Sequence, residues 1–190
     1  IKSSAASDVY KRQVLFSVGL RNDWHGAPWT LYDYTTASKG FAFWLDDRDE
    51  KEQQIIREIC RAGAYKPGSI VMGYAKSGDD LLSTVNNYGI GYVVSDYYAN
   101  GSFWCAYPNR SFYQPEGKAK DVQPGKIYVS IIFSDGDNLQ FDQNALYEMW
   151  ANDTLRGEVP VGTTMAAGLQ EINPFLLEWF YKHKSDNDEL

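Results

Sequence analysis

The chain has 190 residues, 44% hydrophobic and 23% charged, which is ordinary usage for about one globular domain. Lysine and arginine total 18 against 25 aspartate and glutamate, so the net charge is −7. A surface of this sign repels a phosphate backbone, so we expect no nucleic-acid partner. No apolar run approaches the roughly 20 residues that a membrane-spanning helix needs. Cys60 and Cys105 lack a metal-binding spacing, and the two histidines stand too far apart to predict a zinc site.

The opening stretch, residues 1–13, is polar and precedes the first apolar run. Its sequence, IKSSAASDVYKRQ, resembles a translated remnant of a sequencing adapter. We therefore expect a non-native or disordered leader over 1–13 and one α/β domain over 14–190, and we leave the leader out of the fold.

Six short apolar runs predict β-strands. They are Val14–Leu20, Phe41–Leu45, Ile70–Tyr74, Tyr92–Ser95, Ile127–Phe133 and Val159–Thr163. Most of them are continuous, not alternating, which is typical of strands covered on both faces of a sheet. We expect the first five to lie parallel in one sheet.

Helical patterns stand between these runs. They cover residues 49–61, 77–89 and 139–150, and a last helix begins at Asn173-Pro174. Alternation of strands and helices predicts an α/β fold with a mainly parallel sheet. A barrel and a doubly wound open sheet both fit, and we favour a TIM-barrel-like fold that is incomplete at the C-terminus.

One long stretch interrupts the alternation. Between Tyr98 and Lys126 the chain is rich in proline and glycine and has little periodic apolar content. This pattern predicts a loop that covers one rim of the sheet, with no helix longer than three turns.

Aspartates follow several of the predicted strands. They are Asp23, Asp46, Asp47, Asp96, Asp135 and Asp137. Because the C-terminal ends of parallel strands share one edge, we expect a carboxyl of Asp135 or Asp137 to lie within about 10 Å of that of Asp96, Asp46 or Asp47. Helix capping is an equal alternative for Asp47, Asp49 or Asp96 taken singly.

The turn after the fifth apolar run has the most closely spaced polar side chains of these predicted strand ends. Asp135, Asp137, Asn138 and Gln140 surround Gly136, where the missing side chain permits a positive φ and a tight turn. Two carboxylates could act as acid and base or as nucleophile on a glycosidic bond, or could bind Ca²⁺ or Mg²⁺. Like charges gathered in a cleft raise the pKa of at least one carboxyl unless a cation or hydrogen bonds offset this.

The segment IYVSIIFSDGDNLQF, residues 127–141, resembles the GxGYxYP family of putative glycoside hydrolases, and SDGDNLQ is its most specific part. Residues 156–163 and 174–181 extend the resemblance, which covers about residues 14–190. It implies a sugar-processing enzyme of gut and environmental bacteria that is exported. The motif that names the family is absent from this chain, and Gly162-Thr163-Thr164 stands where the family tends to carry Gly-Trp-Thr.

Two functions from different classes follow. In the first, a glycoside hydrolase uses Asp135, Asp137, Asp96 and Asp46 as catalytic carboxylates. Its substrate-binding side chains are then Asn138, Gln140, Tyr97, Tyr98, Trp104 and Trp44. The polar loop predicts exposure for Tyr97 and Tyr98, whereas for Trp44, inside a predicted strand, we favour a barrel-lining core position. In the second, a non-catalytic carbohydrate-binding or surface module uses the acidic loop only to bind Ca²⁺.

Overall fold

The structure is a computed structural model that describes residues 14–17, 31–62, 65, 68–95, 98–115, 121–136, 138–166 and 168–190. For 14–17 it describes the backbone alone. The leader predicted for 1–13 and three predicted site residues, Asp96, Tyr97 and Asp137, lie outside the described residues.

The first four strands form one parallel sheet. They are β1 (Val14–Ser17), β2 (Phe41–Phe43), β3 (Ile70–Gly73) and β4 (Gly91–Val94), and they lie in the order β2-β1-β3-β4. Leu15 of β1 is paired with Phe41 on one side and with Val71 on the other. A TIM barrel places successive strands side by side, whereas this order is that of a doubly wound sheet. The TIM-barrel-like arrangement is therefore not confirmed, and these strands follow the open-sheet alternative.

Three shorter strands form a second parallel sheet. They are β5 (Ile132–Phe133), β6 (Val161–Thr163) and β7 (Asp188–Glu189), in the order β5-β6-β7. The expectation that Ile127–Phe133 joins the first four strands is wrong, because only its last two residues pair and their partner is β6. An isolated parallel bridge between Val94 and Asn138 links the edge of the first sheet to the turn after β5.

Helices connect the strands. They are α1 (Tyr32–Ser38), α2 (Glu50–Ala62), α3 (Asp79–Asn86), α4 (Gly101–Trp104), α5 (Leu139–Phe141), α6 (Tyr147–Asn152), α7 (Leu169–Ile172) and α8 (Pro174–His183). A π-helical segment, Asp142–Leu146, joins α5 to α6. The Asn173 side chain accepts a hydrogen bond of 3.1 Å from the Leu176 N–H, which confirms the predicted start of α8.

The first sheet is covered on both faces, as its continuous apolar runs predicted. Val71 packs in a cluster with Ile56 of α2 and Leu81 of α3. Its neighbour Met72 packs in a second cluster with Leu139. Successive strand residues point to opposite faces, so these clusters lie on opposite sides of β3.

The long stretch after β4 packs along α8. Its one described helix is the four-residue α4, and the other described residues up to 131 have no strand or helix, which confirms the prediction of little regular structure. Trp104 stacks on Phe175 at 5.5 Å between ring centroids. Further along, the Arg110 guanidinium lies 3.1 Å from the Glu178 carboxylate. Among the described residues, the helices are too short or too polar to cross a membrane.

Candidate functional site

The turn after β5 presents Asp135 in an unusual backbone conformation. Its φ is 89°, and a positive φ in a residue with a side chain costs about 1 kcal/mol or more. The Asn138 N–H donates to the Asp135 carbonyl at 3.2 Å, which closes the turn. Gly136, where the sequence allowed a positive φ, does not adopt one. The residue with the positive φ is the aspartate itself, and it is exposed.

Gly136 is required for a different reason. The residue is buried against the end of β6, and its N–H donates to the Thr164 hydroxyl at 3.2 Å. A Cβ at this position would lie 1.6 Å from the Thr164 carbonyl oxygen, so only glycine allows the approach. The contact clamps the acidic turn to the neighbouring strand.

One amide side chain holds the Asp135 carboxylate, and a second amide holds the first. The Asn138 side-chain amide donates to Asp135 Oδ1 at 2.9 Å, and the Gln140 amide donates to Asn138 Oδ1 at 3.1 Å. This chain of bonds fixes which way the Asn138 amide points and therefore where the carboxylate lies. The structure brings these three predicted residues together, and their predicted contact with substrate stays a prediction.

A second set of charged side chains lies in the loops that follow β2 and β3. The Lys76 ammonium lies 2.6 Å from Asp46 Oδ2, and the Arg48 N–H donates to Asp46 Oδ1 at 3.0 Å. The hydrogen bond from Lys76, followed by that from Arg48, holds the pKa of Asp46 below its ordinary value. The predicted rise of a carboxyl pKa is therefore absent at Asp46, because a cation offsets the effect of other charges. An ionised Asp46 suits a base, a nucleophile or a stabiliser of positive charge, and not a general acid.

Replacing Lys76 with methionine should raise the pKa of Asp46 toward about 3.9, the ordinary aspartate value. The ion pair stabilises the fold above that pH, and the contribution is lost as the pH falls through the lower pKa of the folded state. The difference in stability between the two proteins should therefore shrink as the pH falls below about 3.9 and vanish below the lowered pKa of Asp46 in the folded state. Carboxyl-carbon NMR titration measures the shift, with Lys126→Met at an exposed position as the control. A pKa that stays low in K76M would assign the effect to Arg48.

Asp47 and Asp49 both accept hydrogen bonds from backbone N–H groups near the start of a helix. The buried Asp47 carboxylate accepts from the N–H groups of Ser77 and Gly78, just before α3. The exposed Asp49 carboxylate accepts from the N–H groups at the start of α2. The capping alternative is therefore confirmed for Asp49, whereas Asp47 bonds to two residues that precede α3 and does not cap the helix that follows it in the chain. The predicted convergence of Asp135 or Asp137 with Asp46, Asp47 or Asp96 stays a prediction.

The three described aromatic candidates differ in exposure. Tyr98 is completely buried, and its hydroxyl donates to the Ile172 carbonyl at 2.9 Å; burial raises the pKa of this hydroxyl strongly. The expectation of an exposed Tyr98 is wrong, because its ring packs in the core beneath α7. Trp44, expected in the core, is 41% exposed at the end of β2. Trp104 is half-buried against Phe175.

Two acidic residues were missed from the sequence. Asp142 is 0% exposed, although it is an acidic residue inside a helix. Glu189 ends β7 and lines an open cavity of about 690 Å³, together with Thr164 and Tyr181. Asp142 had a signal, since it occupies the apolar stripe of its helix, whereas the Asp-Glu pair of β7 has no apolar pattern. Among the described residues, no group of three or more His, Cys, Asp or Glu side chains forms a metal site.

These features define a mixed α/β fold built from small parallel sheets, with acidic turns at the strand ends. Two family models match it in succession. The "GxGYxYP third domain" matches residues 18–106, and the "GxGYxYP putative glycoside hydrolase C-terminal domain" matches residues 125–190. Together they span most of the chain, over the segments that carried the sequence resemblance. The chain belongs to the GxGYxYP family.

A solved structure shares the fold. It is a crystal structure from Bacteroides thetaiotaomicron VPI-5482, described as a putative hydrolase, with a TM-score of 0.70 and 21% sequence identity. The match covers 96% of this chain and 35% of that chain, so the chain spans about a third of the length of the solved protein. A likeness at this identity shows the fold alone. A search of the curated proteins found no match.

Proposed function

We propose that the chain forms part of a glycoside hydrolase whose catalytic carboxylates stand at the C-terminal ends of its parallel strands. The family model for residues 125–190 supports the class of reaction. Export from a bacterial cell, which the family resemblance implies, is part of the same proposal. So is the carbohydrate nature of the substrate.

The conformation of Asp135 is the observation that carries the proposal. Backbone strain in a residue with a side chain persists only where surrounding contacts hold it, and such residues cluster at active sites. Here the Gly136 contact with Thr164 and the hydrogen bond from Asn138 hold the strained turn. The result is an exposed carboxylate with a fixed direction at a strand end, which is what a catalytic group on a glycosidic bond needs.

The neighbouring residues suit a sugar. Thr164, which contacts Gly136, also lines the cavity of about 690 Å³, a volume within the usual range of small-molecule sites. Glu189 lines the same cavity and offers a second carboxylate near the end of a parallel strand. Asp137 and Asp96 remain proposed members of the site. Glycoside hydrolysis uses two carboxyl groups about 5 to 9.5 Å apart, so one of these residues would act opposite Asp135.

A second group of residues lies near the switch point of the first sheet. In doubly wound sheets, ligands bind beyond the C-terminal ends of the strands where the strand order reverses, here between β1 and β3. The Asp46–Lys76 ion pair follows β2 and β3, and the exposed ring of Trp44 stands two residues before Asp46. An aromatic ring beside a charged pair suits stacking and hydrogen bonding to a sugar, so we propose this edge as a substrate-binding region.

The test is the Asp135→Asn variant of the full-length protein on a panel of glycans. We expect kcat/KM to fall by about a hundredfold or more, because the amide can neither transfer a proton nor act as a nucleophile. Asp121→Asn, at an exposed loop position, should leave the activity unchanged. Full activity in D135N would remove Asp135 from the proposed site. Calcium-dependent glycan binding without hydrolysis by the unaltered protein would instead support the non-catalytic module.

A further inference from the structure

The apolar run that ends in β5 is exposed, although a similar run in the first sheet is buried. Residues 70–73 form β3, which pairs with β1 and β4, and its Val71 and Met72 are completely buried. Residues 127–133 are also mainly apolar and continuous, but only the last two form a strand. The exposed fraction lies between 51% and 92% for five of their side chains, Ile127, Tyr128, Val129, Ile131 and Ile132. One sequence pattern therefore gives a covered strand in the first sheet and an exposed segment beside the second.

The edge that this run forms has none of the usual protection. Edge strands of soluble proteins are short, carry charged residues or proline, or lie beneath a helix or loop, because an unpaired edge binds other strands readily. In the part of the chain that the structure describes, β5 is the edge strand of the second sheet. Residues 127–133 contain neither a charged residue nor a proline. A patch of this kind indicates a surface that binds other polypeptide.

An apolar groove adjoins the exposed run. Its volume is about 350 Å³, and Ile131 and Ile132 line it from the run. Met149, Leu155 and Val159 also line it, and each of these side chains is at least 46% exposed. The exposed apolar surface therefore extends from the edge of the second sheet to α6 and to the loop before β6.

Further polypeptide of the same protein fits this surface better than a second copy of the chain. In the solved structure that shares the fold, the match covers 35% of that chain, so most of that polypeptide lies outside the match. Two copies of the present chain would bring together two net charges of −7. Two-fold pairing of two identical edges would also be antiparallel, whereas the pairs described within both sheets are all parallel.

We propose that residues 127–132 are the docking surface for an apolar strand and its connecting helix, supplied by the part of the same protein that lies outside these 190 residues. The strand pairs with the backbone of residues 127–131 and continues the parallel sheet beyond β5. A parallel neighbour needs a crossover connection, and the helix of that connection covers the exposed side chains and the groove beside α6. The run then has a neighbour on each side, as β3 has in the first sheet. This packing is independent of the proposed function, since it involves no substrate.

Hydrogen–deuterium exchange in the full-length protein tests this surface without a ligand. After correction for intrinsic rates, amides of residues 127–131 should exchange on the order of a hundredfold more slowly than those of residues 121–126, because paired amides exchange only after local opening. Both segments are exposed in the 190-residue chain, so the second segment is an internal control. Equal exchange in the two segments would overturn the proposal. Protection that disappears on dilution, together with the mass of a dimer in light scattering, would also overturn it, because a second copy would then be the occupant.

A lysine at Val129 provides a second measurement in the full-length protein. Val129 is 80% exposed in the 190-residue chain, so a charge there would have little effect if nothing covered it. Beneath the proposed helix, Val129→Lys should lower the midpoint of unfolding by about 1 M urea or more, because a charge would be buried without a partner. Val122→Lys, at a position that is 78% exposed, is the matched control and should leave the midpoint unchanged.

A milder pair of variants covers the case in which V129K does not fold. Val129→Thr should then lower the midpoint of unfolding by more than Val122→Thr does, since only the first hydroxyl would be buried. Equal midpoints of V129K and V122K, or of the two threonine variants, would show that Val129 is uncovered in the full-length protein and would overturn the proposal.

Discussion

Replacing Gly136 with alanine should destabilise the protein by about 4 kcal/mol or more, or prevent folding altogether. The added Cβ would lie 1.6 Å from the Thr164 carbonyl oxygen and 2.4 Å from its carbonyl carbon. Both are backbone atoms, so neither can rotate out of the way. Either β6 must move from β5, or the acidic turn must open, and each change breaks contacts of the second sheet. Chemical denaturation measures the loss.

Gly162→Ala is the matched control. Gly162 lies in β6, two residues before Thr164, and a Cβ there would meet Ile132 at 3.8 Å and the Ile131 carbonyl oxygen at 3.9 Å. These are ordinary contacts, so this variant should stay within about 1 kcal/mol of the unaltered protein. Trimming the Thr164 side chain to alanine should not rescue G136A, since the clash is with the backbone. Equal stability of G136A and G162A would show that the Thr164 backbone does not lie close enough to Gly136 to exclude a side chain there.

Replacing Asp47 with alanine should cost about 3 kcal/mol. Its carboxylate is 1% exposed and accepts bonds of 3.0 and 3.1 Å from the Ser77 N–H and of 3.0 Å from the Gly78 N–H. Without it, two backbone donors at the start of α3 lose their partner in a place that water reaches poorly. The loop after β2 would also lose its tie to the loop after β3. Thermal and chemical unfolding measure the change.

Asp49→Ala makes the same substitution two residues away. Asp49 accepts from the Lys51 and Glu52 N–H groups at 2.9 and 3.0 Å, but it is exposed, so water can replace it. Its loss should cost about 1 kcal/mol, the usual value of a cap. If both variants lose the same stability, burial adds nothing to the contribution of the Asp47 hydrogen bonds. Because D47A also loosens the loop of Lys76, we expect the pKa of Asp46 to rise in D47A and not in D49A.

The turn after β5 shows how a local signal can be correct for a different reason. The polar residues around Gly136 predicted a tight turn, and the structure has an unusual backbone conformation there, at Asp135. Yet the sequence could not show that β6 presses on Gly136, because Thr164 is 28 residues away along the chain. The positive φ lies at Asp135, and Gly136 is the residue in close contact with Thr164. A glycine needed for close approach and a glycine needed for positive φ look the same in sequence.

Helices and strand direction followed from local pattern. The apolar stripe of α2 and the Asn173-Pro174 start of α8 are properties of neighbouring residues, and continuous apolar runs require a sheet covered on both faces. The family was also evident from the sequence, since the resemblance rested on a contiguous run of residues.

Strand order, burial of single aromatic rings and the partner of β5 were decided by the tertiary structure. β1 pairs with both β2 and β3. Which strands become neighbours depends on the face of the sheet over which each connecting helix passes, and the apolar runs do not indicate that face. Tyr98 looked exposed because its sequence neighbours are polar, but α7 covers it from 74 residues away. Contacts between distant segments set these features, and the physical reason is that burial depends on what packs against a residue and not on what precedes it.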